Sequence, residues 1–254
     1  MFSLEEKLKT HNFILGPVDT DSVSFCKQDG SSFTKEEQDS LLEEINSHCP
    51  ELIQYDHDGY FPVCVALKSK NYILLDEEGN LTIKGSALKS SKLEKALKKF
   101  ISEIINCLVY DKQSEIVRIY EKYIKECYTL KDIGSWTSKK TLTAKVLTPE
   151  RTTEQKILDA LNGRHAQMGD KIYVYFREDG SLAMQEDWNN DHDPIQLSKR
   201  VYSTLSIFKN VIDMDQFEKY HLKGKKEQLY NLLGVPYEKP AKKSKKAKVS
   251  ADGV

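Results

Sequence analysis

The chain has 254 residues, with 38 Lys and Arg set against 39 Asp and Glu, for a formal net charge of −1. That length holds one large or two small domains with a real core, and 39% hydrophobic with 30% charged residues is the balance of an ordinary soluble globular protein. A strongly basic protein is excluded, so any nucleic-acid binding must come from locally clustered charge.

Residues 1–11 read as the end of a helix, with Phe2 and Leu4 followed by "EEKLK". In "NFILGPVDTDSVSF" two short strands flank a turn at "DTDS". "FTKEEQDSLLEEIN" reads as a helix opened by a capping box, Thr34 with Glu37, ahead of Leu41, Leu42 and Ile45. "YFPVCVALKSKNYILLDEEGNLTIKG" reads as three strands, the last two joined by a hairpin around Glu78-Gly79-Asn80.

From Ser91 the pattern turns helical. Leu93, Leu97, Phe100, Ile101, Ile104, Ile105 and Leu108 form one stripe, and Lys92, Lys95, Lys98 and Lys99 form the opposite, solvated face. A second helix follows in "SEIVRIYEKYIKECY". Next come a polar connector, "TLKDIGSWTSKKTLTAKV", a short helix in "TTEQKILDAL", a hairpin in "GDKIYVYFREDGSLAMQ" and two further helices ending near Leu233. The lysine-rich tail over 236–254 has the composition of a disordered segment. Mixed strands followed by helices give an α+β layout.

Cys26, Cys49, Cys64, Cys107 and Cys127 are scattered without Cys-x-x-Cys or Cys/His spacing, so reduced thiols are expected rather than zinc. No apolar run could span a bilayer and the charged N-terminus is unlike a signal peptide, so a soluble, cytoplasmic protein without a membrane partner is expected.

Three D-x-D elements stand out. Asp56/Asp58 and Asp191/Asp193, each enclosing a histidine (His57 or His192), lie among Asn, Gly and Pro and read as solvated turns. Asp19/Asp21 differs because strands flank it. Two carboxylates about 4 Å apart repel by on the order of 4 kcal/mol at an effective dielectric near 20, so such a pair shares a proton or holds a cation. Rigidly held hard oxygens suit Mg²⁺, which takes few protein carboxylates and completes its shell from phosphates. A purely structural turn is the alternative.

"VDTDSVSF" resembles the Y-G-D-T-D-S motif of family B DNA polymerases. That family next shows a basic-aromatic strand, K-K-x-Y, then a Lys-Gly pair and a helical thumb. Here "LKSKNYILL", "TIKG" and "SKLEKALKKFISEII" follow in that order. Pro17-Val18 stands where the family has Tyr-Gly, and proline, unable to donate a ladder hydrogen bond, belongs at an edge or bulge. Ser69 replaces the first lysine of K-K-x-Y, with Lys68 as a neighbouring substitute.

The resemblance implies the end of a palm over 1–90 and a thumb over 91–235. It implies a C-terminal part of a split, phage-like polymerase, in the host cytoplasm if viral. The remaining metal-binding aspartate, the fingers and the exonuclease would come from an N-terminal polymerase chain. It further implies Asp21 as main ligand and Asp19 as supporting ligand in a two-Mg²⁺ site acting on primer-template DNA and dNTP. Lys68, Lys70, Tyr72 and Lys84 would contact the DNA backbone near the new base pair. Ser138, Lys139, Lys140 and Lys145 would grip the duplex from the thumb. Trp136 is either buried or against the DNA. The rival readings are a non-catalytic DNA-binding remnant, or a Mg²⁺-dependent fold with a chance likeness; a remnant gains nothing from keeping a repulsive carboxylate pair.

Overall fold

Alternating apolar residues build the first hairpin. Strands β1 (Phe13–Val18) and β2 (Val23–Lys27) pair antiparallel, Phe13 opposite Lys27 and Val18 opposite Val23, with the register slipping between Leu15 and Val18. Pro17 sits inside that slip, where its missing N–H breaks no ladder bond, as expected. The computed structural model describes residues 11, 13–19, 21–86, 88, 93–220, 231, 233 and 234. The helix expected before His11, Lys92 and the tail over 236–254 lie outside them.

Helix α1 (Lys35–Asn46) opens with the expected capping box: the Thr34 hydroxyl accepts from the Glu37 N–H, and the Glu37 carboxylate accepts from the Thr34 N–H. Lys27 ties this helix to the hairpin, its ammonium 2.7 Å from Glu37 Oε2. Phe33 meets the stacked rings of Phe13 and Phe25 edge-on.

The three expected strands are β3 (Val63–Lys68), β4 (Asn71–Leu75) and β5 (Leu81–Lys84), antiparallel in the order β3-β4-β5. Gly79, at φ +85°, makes the predicted turn between the last two. The β1 hairpin lies against β3.

Helix α2 (Lys95–Val109) buries Leu97, Phe100, Ile101, Ile104, Ile105 and Leu108 while Lys95, Lys98 and Lys99 stay exposed. Each such apolar side chain stabilises the fold by about 1.5–3 kcal/mol when buried, which explains why the stripe dictates the helix's orientation. Helix α3 (Ile116–Tyr128) packs on it through Tyr120 and Tyr123, the latter's ring 5.0 Å from that of Phe100. Trp136 is buried and its indole N–H donates to Glu126 Oε1 at 2.9 Å, settling its place in the core.

The polar connector contains a strand that its composition hides. β6 (Ser138–Thr141) is the edge of a second three-stranded antiparallel sheet, ordered β6-β7-β8, with β7 (Lys171–Phe176) and β8 (Leu182–Met184) forming the expected hairpin. "SKKT" carries no apolar alternation, so its extended conformation comes from pairing with β7 rather than from its own side chains. Between them run α4 (Ala144–Leu147) and α5 (Thr152–Ala160), whose Val146 and Ala160 cluster with Ile172, Val174 and Leu182 on the inner face of the sheet. Helix α6 (Pro194–Leu205) starts on a proline, which needs no N–H there, and packs against α3. The last expected helix is described only as α7 (Asp215–Glu218).

The fold is α+β with antiparallel sheets. The helical second part carries its own small sheet. No helix of the described residues is long and apolar enough to cross a membrane.

Candidate functional site

The β1–β2 tip is closed by the Asp19 N–H donating to the Ser22 carbonyl at 2.9 Å, which fixes the carboxylate-bearing turn on a rigid hairpin. Both Asp19 and Asp21 are exposed. The cation beside Asp19 is the chain's own: Lys70 Nζ lies 2.9 Å from Asp19 Oδ1. A lysine from the second sequence motif thus offsets the repulsion within the first. No described residue pairs with the Asp21 carboxylate, which faces solvent.

Lys70 reaches Asp19 because of where the chain turns. The K-x-Y segment is not one strand, as expected, but spans the β3–β4 turn: Lys68 ends β3, Lys70 holds φ +57° in the turn and Tyr72 lies on β4. A left-handed residue here reverses the chain tightly, a conformation that lysine adopts at a cost. The Lys-Gly pair explains how it is held. Gly85, at φ +94°, packs so closely that a Cβ would lie 2.4 Å from both the Lys70 carbonyl oxygen and Asn71 Oδ1. Only glycine allows the end of β5 to close on this turn. Lys84, just before it, stands directly opposite Tyr72 in the β4–β5 ladder. Asp19, Asp21, Lys68, Lys70, Tyr72 and Lys84 therefore gather around one end of the two neighbouring hairpins.

A residue that sequence reasoning missed braces this end from the helical part. The β3–β4 register shifts between Ala66 and Lys68, and Asn210 Nδ2 donates to the Leu67 carbonyl at 2.7 Å. No local pattern marks Asn210, since its partner is far away in the chain. Glu94, only 2% exposed, accepts from Ser138 Oγ and from Arg200, each at 2.6 Å. Ser138 is therefore occupied internally. Strand alternation sends Lys139 and Lys140 to opposite faces of the second sheet, Lys139 exposed and Lys140 beside buried Ile172. Lys145 is exposed on α4.

The other D-x-D elements divide. Asp56, His57 and Asp58 are exposed in irregular chain, as expected. Asp191, His192 and Asp193 correct the expectation of a solvated turn. His192 is buried, its Nδ1 accepting from the Trp188 indole and its Nε2 hydrogen-bonded to the Cys127 carbonyl, while Asp193 caps α6 through the Ile195 and Gln196 N–H groups. Partial burial raises the Asp191 pKa, but the Tyr175 hydroxyl, the Asn189 N–H and Arg177 outweigh it and hold the carboxyl below its usual range. The element anchors a helix and a hairpin.

As for a metal, Asp19 and Asp21 are hard oxygen donors of the type Mg²⁺ takes, displayed where a phosphate can approach. Among the described residues no group of three or more His, Cys, Asp or Glu forms a complete cage. The tip fits part of a divalent-cation shell, with Asp21 open to it.

No family model matches the chain. It is 30% identical over 97 residues to a DNA polymerase of Archaeoglobus fulgidus, covering 38% of this chain and 12% of that protein. The family B DNA polymerase from the hyperthermophilic archaeon Pyrobaculum calidifontis superposes with a TM-score of 0.57 at 15% identity, over 82% of this chain and 28% of that one. At that identity the likeness is one of fold, and the chain spans a minor part of either relative. The chain is thus similar in sequence to an archaeal DNA polymerase over part of its length, and shares its fold with a portion of a family B DNA polymerase.

Proposed function

We propose that the chain is the C-terminal portion of a family B-type DNA-directed DNA polymerase, contributing the end of the palm (1–90) and the thumb (91–235). The observation that carries this reading is the convergence of three separated motifs. The D-T-D-S tip, the K-x-Y turn and the Lys-Gly pair meet through the Lys70–Asp19 contact and the Gly85 packing.

Asp21 would be the main ligand of bound Mg²⁺ and Asp19 its supporting ligand, the ions supplying activation of the primer 3′-hydroxyl and charge neutralisation at the triphosphate. The chain's own residues orient the nucleic acid. Lys68, Lys70 and Lys84 present ammonium groups around the tip for phosphates of the primer-template. Tyr72, opposite Lys84, offers an amphipathic ring beside them. Lys70 has two anionic claimants, Asp19 in the free chain and a backbone phosphate when DNA is seated.

Fingers, exonuclease and the remaining metal ligand would come from a second polypeptide, so that the active site is a composite of two chains. The half-exposed Ile14 and Val18 on the outer face of β1 are consistent with cover from such a partner. A non-catalytic remnant would need no open Asp21 beside a neutralised Asp19, and this favours the enzyme.

Primer extension with Mg²⁺, by this chain mixed with the polypeptide carrying the missing motifs, tests the reading. Extension should require both chains. Asp21→Asn should abolish it while primer-template affinity stays within a few-fold of wild type. Normal extension by Asp21→Asn removes the catalytic assignment.

A further inference from the structure

We propose that the turn carrying Leu52 and Ile53 is the docking site for the second polypeptide, seated there in an apolar pocket rimmed by lysine or arginine. This rests on the two-chain reading and deepens it, because it names where the partner is held and by what chemistry.

The turn lies between α1 and β3 and carries no motif. Leu52 is 98% exposed and Ile53 55%, which makes them the barest adjacent pair of large apolar side chains among the described residues. The chain around them is held in place. Asn46, at the end of α1, clamps Tyr55 twice: its Nδ2 donates to the Tyr55 carbonyl at 2.9 Å, and its Oδ1 accepts the Tyr55 N–H at 2.7 Å. The Ile53 N–H donates to the Pro50 carbonyl at 2.9 Å, and the Tyr60 hydroxyl is hydrogen-bonded to Ser32 Oγ at 2.7 Å. The bare side chains therefore stand on a pinned turn, which loses little freedom when it docks.

The packing behind the turn is unfinished. Among the described residues before Leu67, Ile45 alone is buried, and it belongs to neither core cluster. Leu41 and Leu42, on the same helix, stay half-buried. One buried isoleucine is too little core for a unit of this size, so further apolar cover comes from outside the chain.

Charge selects the occupant. From Glu36 to Leu67 the chain has no lysine or arginine, and Glu43, Glu51, Asp56 and Asp58 are exposed on either side of the turn in sequence. That field repels the phosphates of nucleic acid. It also repels a second copy, because a two-fold contact would set the same carboxylates against each other. A protein surface with an apolar pocket and a basic rim matches both features: the pocket takes Leu52 and Ile53, and its cations meet the surrounding carboxylates. The second polypeptide is the one protein that the composite active site already requires against this chain.

The test measures association of the full chain with the polypeptide carrying the missing motifs, by biolayer interferometry across a range of KCl. Leu52→Ser should weaken association about ten-fold or more, and Leu52→Met should keep it within a few-fold of wild type. The urea unfolding midpoint of Leu52→Ser should stay at the wild-type value, since so exposed a side chain has few contacts to lose. Glu51→Gln combined with Asp56→Asn should slow association and flatten its salt dependence. Met168→Ser, at a side chain 71% exposed between α5 and β7, should change nothing. In primer extension, Leu52→Ser should raise the partner concentration needed for half-maximal rate and leave the maximal rate as in wild type. Wild-type affinity in Leu52→Ser, an equal loss in Met168→Ser, self-association of the chain that Leu52→Ser abolishes, or a loss of duplex DNA affinity in Leu52→Ser overturns the proposal. Failure of the wild-type chains to associate or to extend a primer together would instead fell the two-chain reading, and this inference with it.

Discussion

Gly85 shows how one missing methyl group shapes the candidate site. Its φ of +94° and the 2.4 Å that a Cβ would leave to the Lys70 carbonyl oxygen make it the only residue that fits beneath the β3–β4 turn. Gly85→Ala should destabilise the chain by about 2 kcal/mol or more, from backbone strain and the displaced turn together. A urea unfolding midpoint within error of wild type would contradict this packing. The Lys70–Asp19 ion pair is a different matter. With side chains 61% and 40% exposed, it contributes little to stability, and its importance lies in placing an ammonium beside a carboxylate. The sequence announced Gly85 through its position after Lys84, but not its reason, because the partner backbone is fifteen residues upstream by numbering.

At the scale of elements, the sequence was legible wherever a periodic apolar face met a local signal. Thr34 and Glu37 marked the start of α1, the Leu97-to-Leu108 stripe marked α2, and Gly79 marked the β4–β5 turn. Where conformation depends on a distant partner, it was not. β6 is extended because β7 pairs with it, and the K-x-Y segment bends because Gly85 closes on it. His192 is buried because Trp188 and the Cys127 carbonyl, the latter on α3, supply its hydrogen bonds. The Glu94–Arg200 pair belongs to this long-range class and joins the entry of α2 to α6. Arg200→Ala leaves the Glu94 carboxylate, 2% exposed, with Ser138 as its remaining side-chain partner among the described residues, and should cost about 2–3 kcal/mol. Differential scanning calorimetry reads this directly, and an unchanged melting temperature would mean that the pair is dispensable.

For the whole molecule, a net charge of −1 conceals a local pattern: Lys68, Lys70 and Lys84 gather at the β1–β2 end, while several surface carboxylates are held by hydrogen bonds from the chain itself. Hydrogen bonds from Lys27 hold Glu37 below its ordinary pKa, and the Arg164 guanidinium does the same for Asp187. Asp29 and Asp76 are lowered by bonds from Ser31 and Asn80. Below about pH 4–5 the unfolded chain therefore takes up more protons at these sites than the folded one. Stability from them is fully present above that range and is lost as pH falls through the folded values. Urea midpoints should be level from pH 7 to about pH 5 and drop on further acidification, with Lys27→Met softening the drop. A midpoint that holds steady down to pH 3 would contradict these pairings.

The metal-holding role proposed for the hairpin tip is tested most directly by electron paramagnetic resonance titration of Mn²⁺ into the proposed two-chain assembly bound to primer-template and a non-hydrolysable nucleotide. The wild-type assembly should hold about two ions tightly, and the Asp19→Asn, Asp21→Asn double variant should lose that tight binding while still retaining the DNA. Unchanged stoichiometry and affinity in the double variant would place the ions elsewhere.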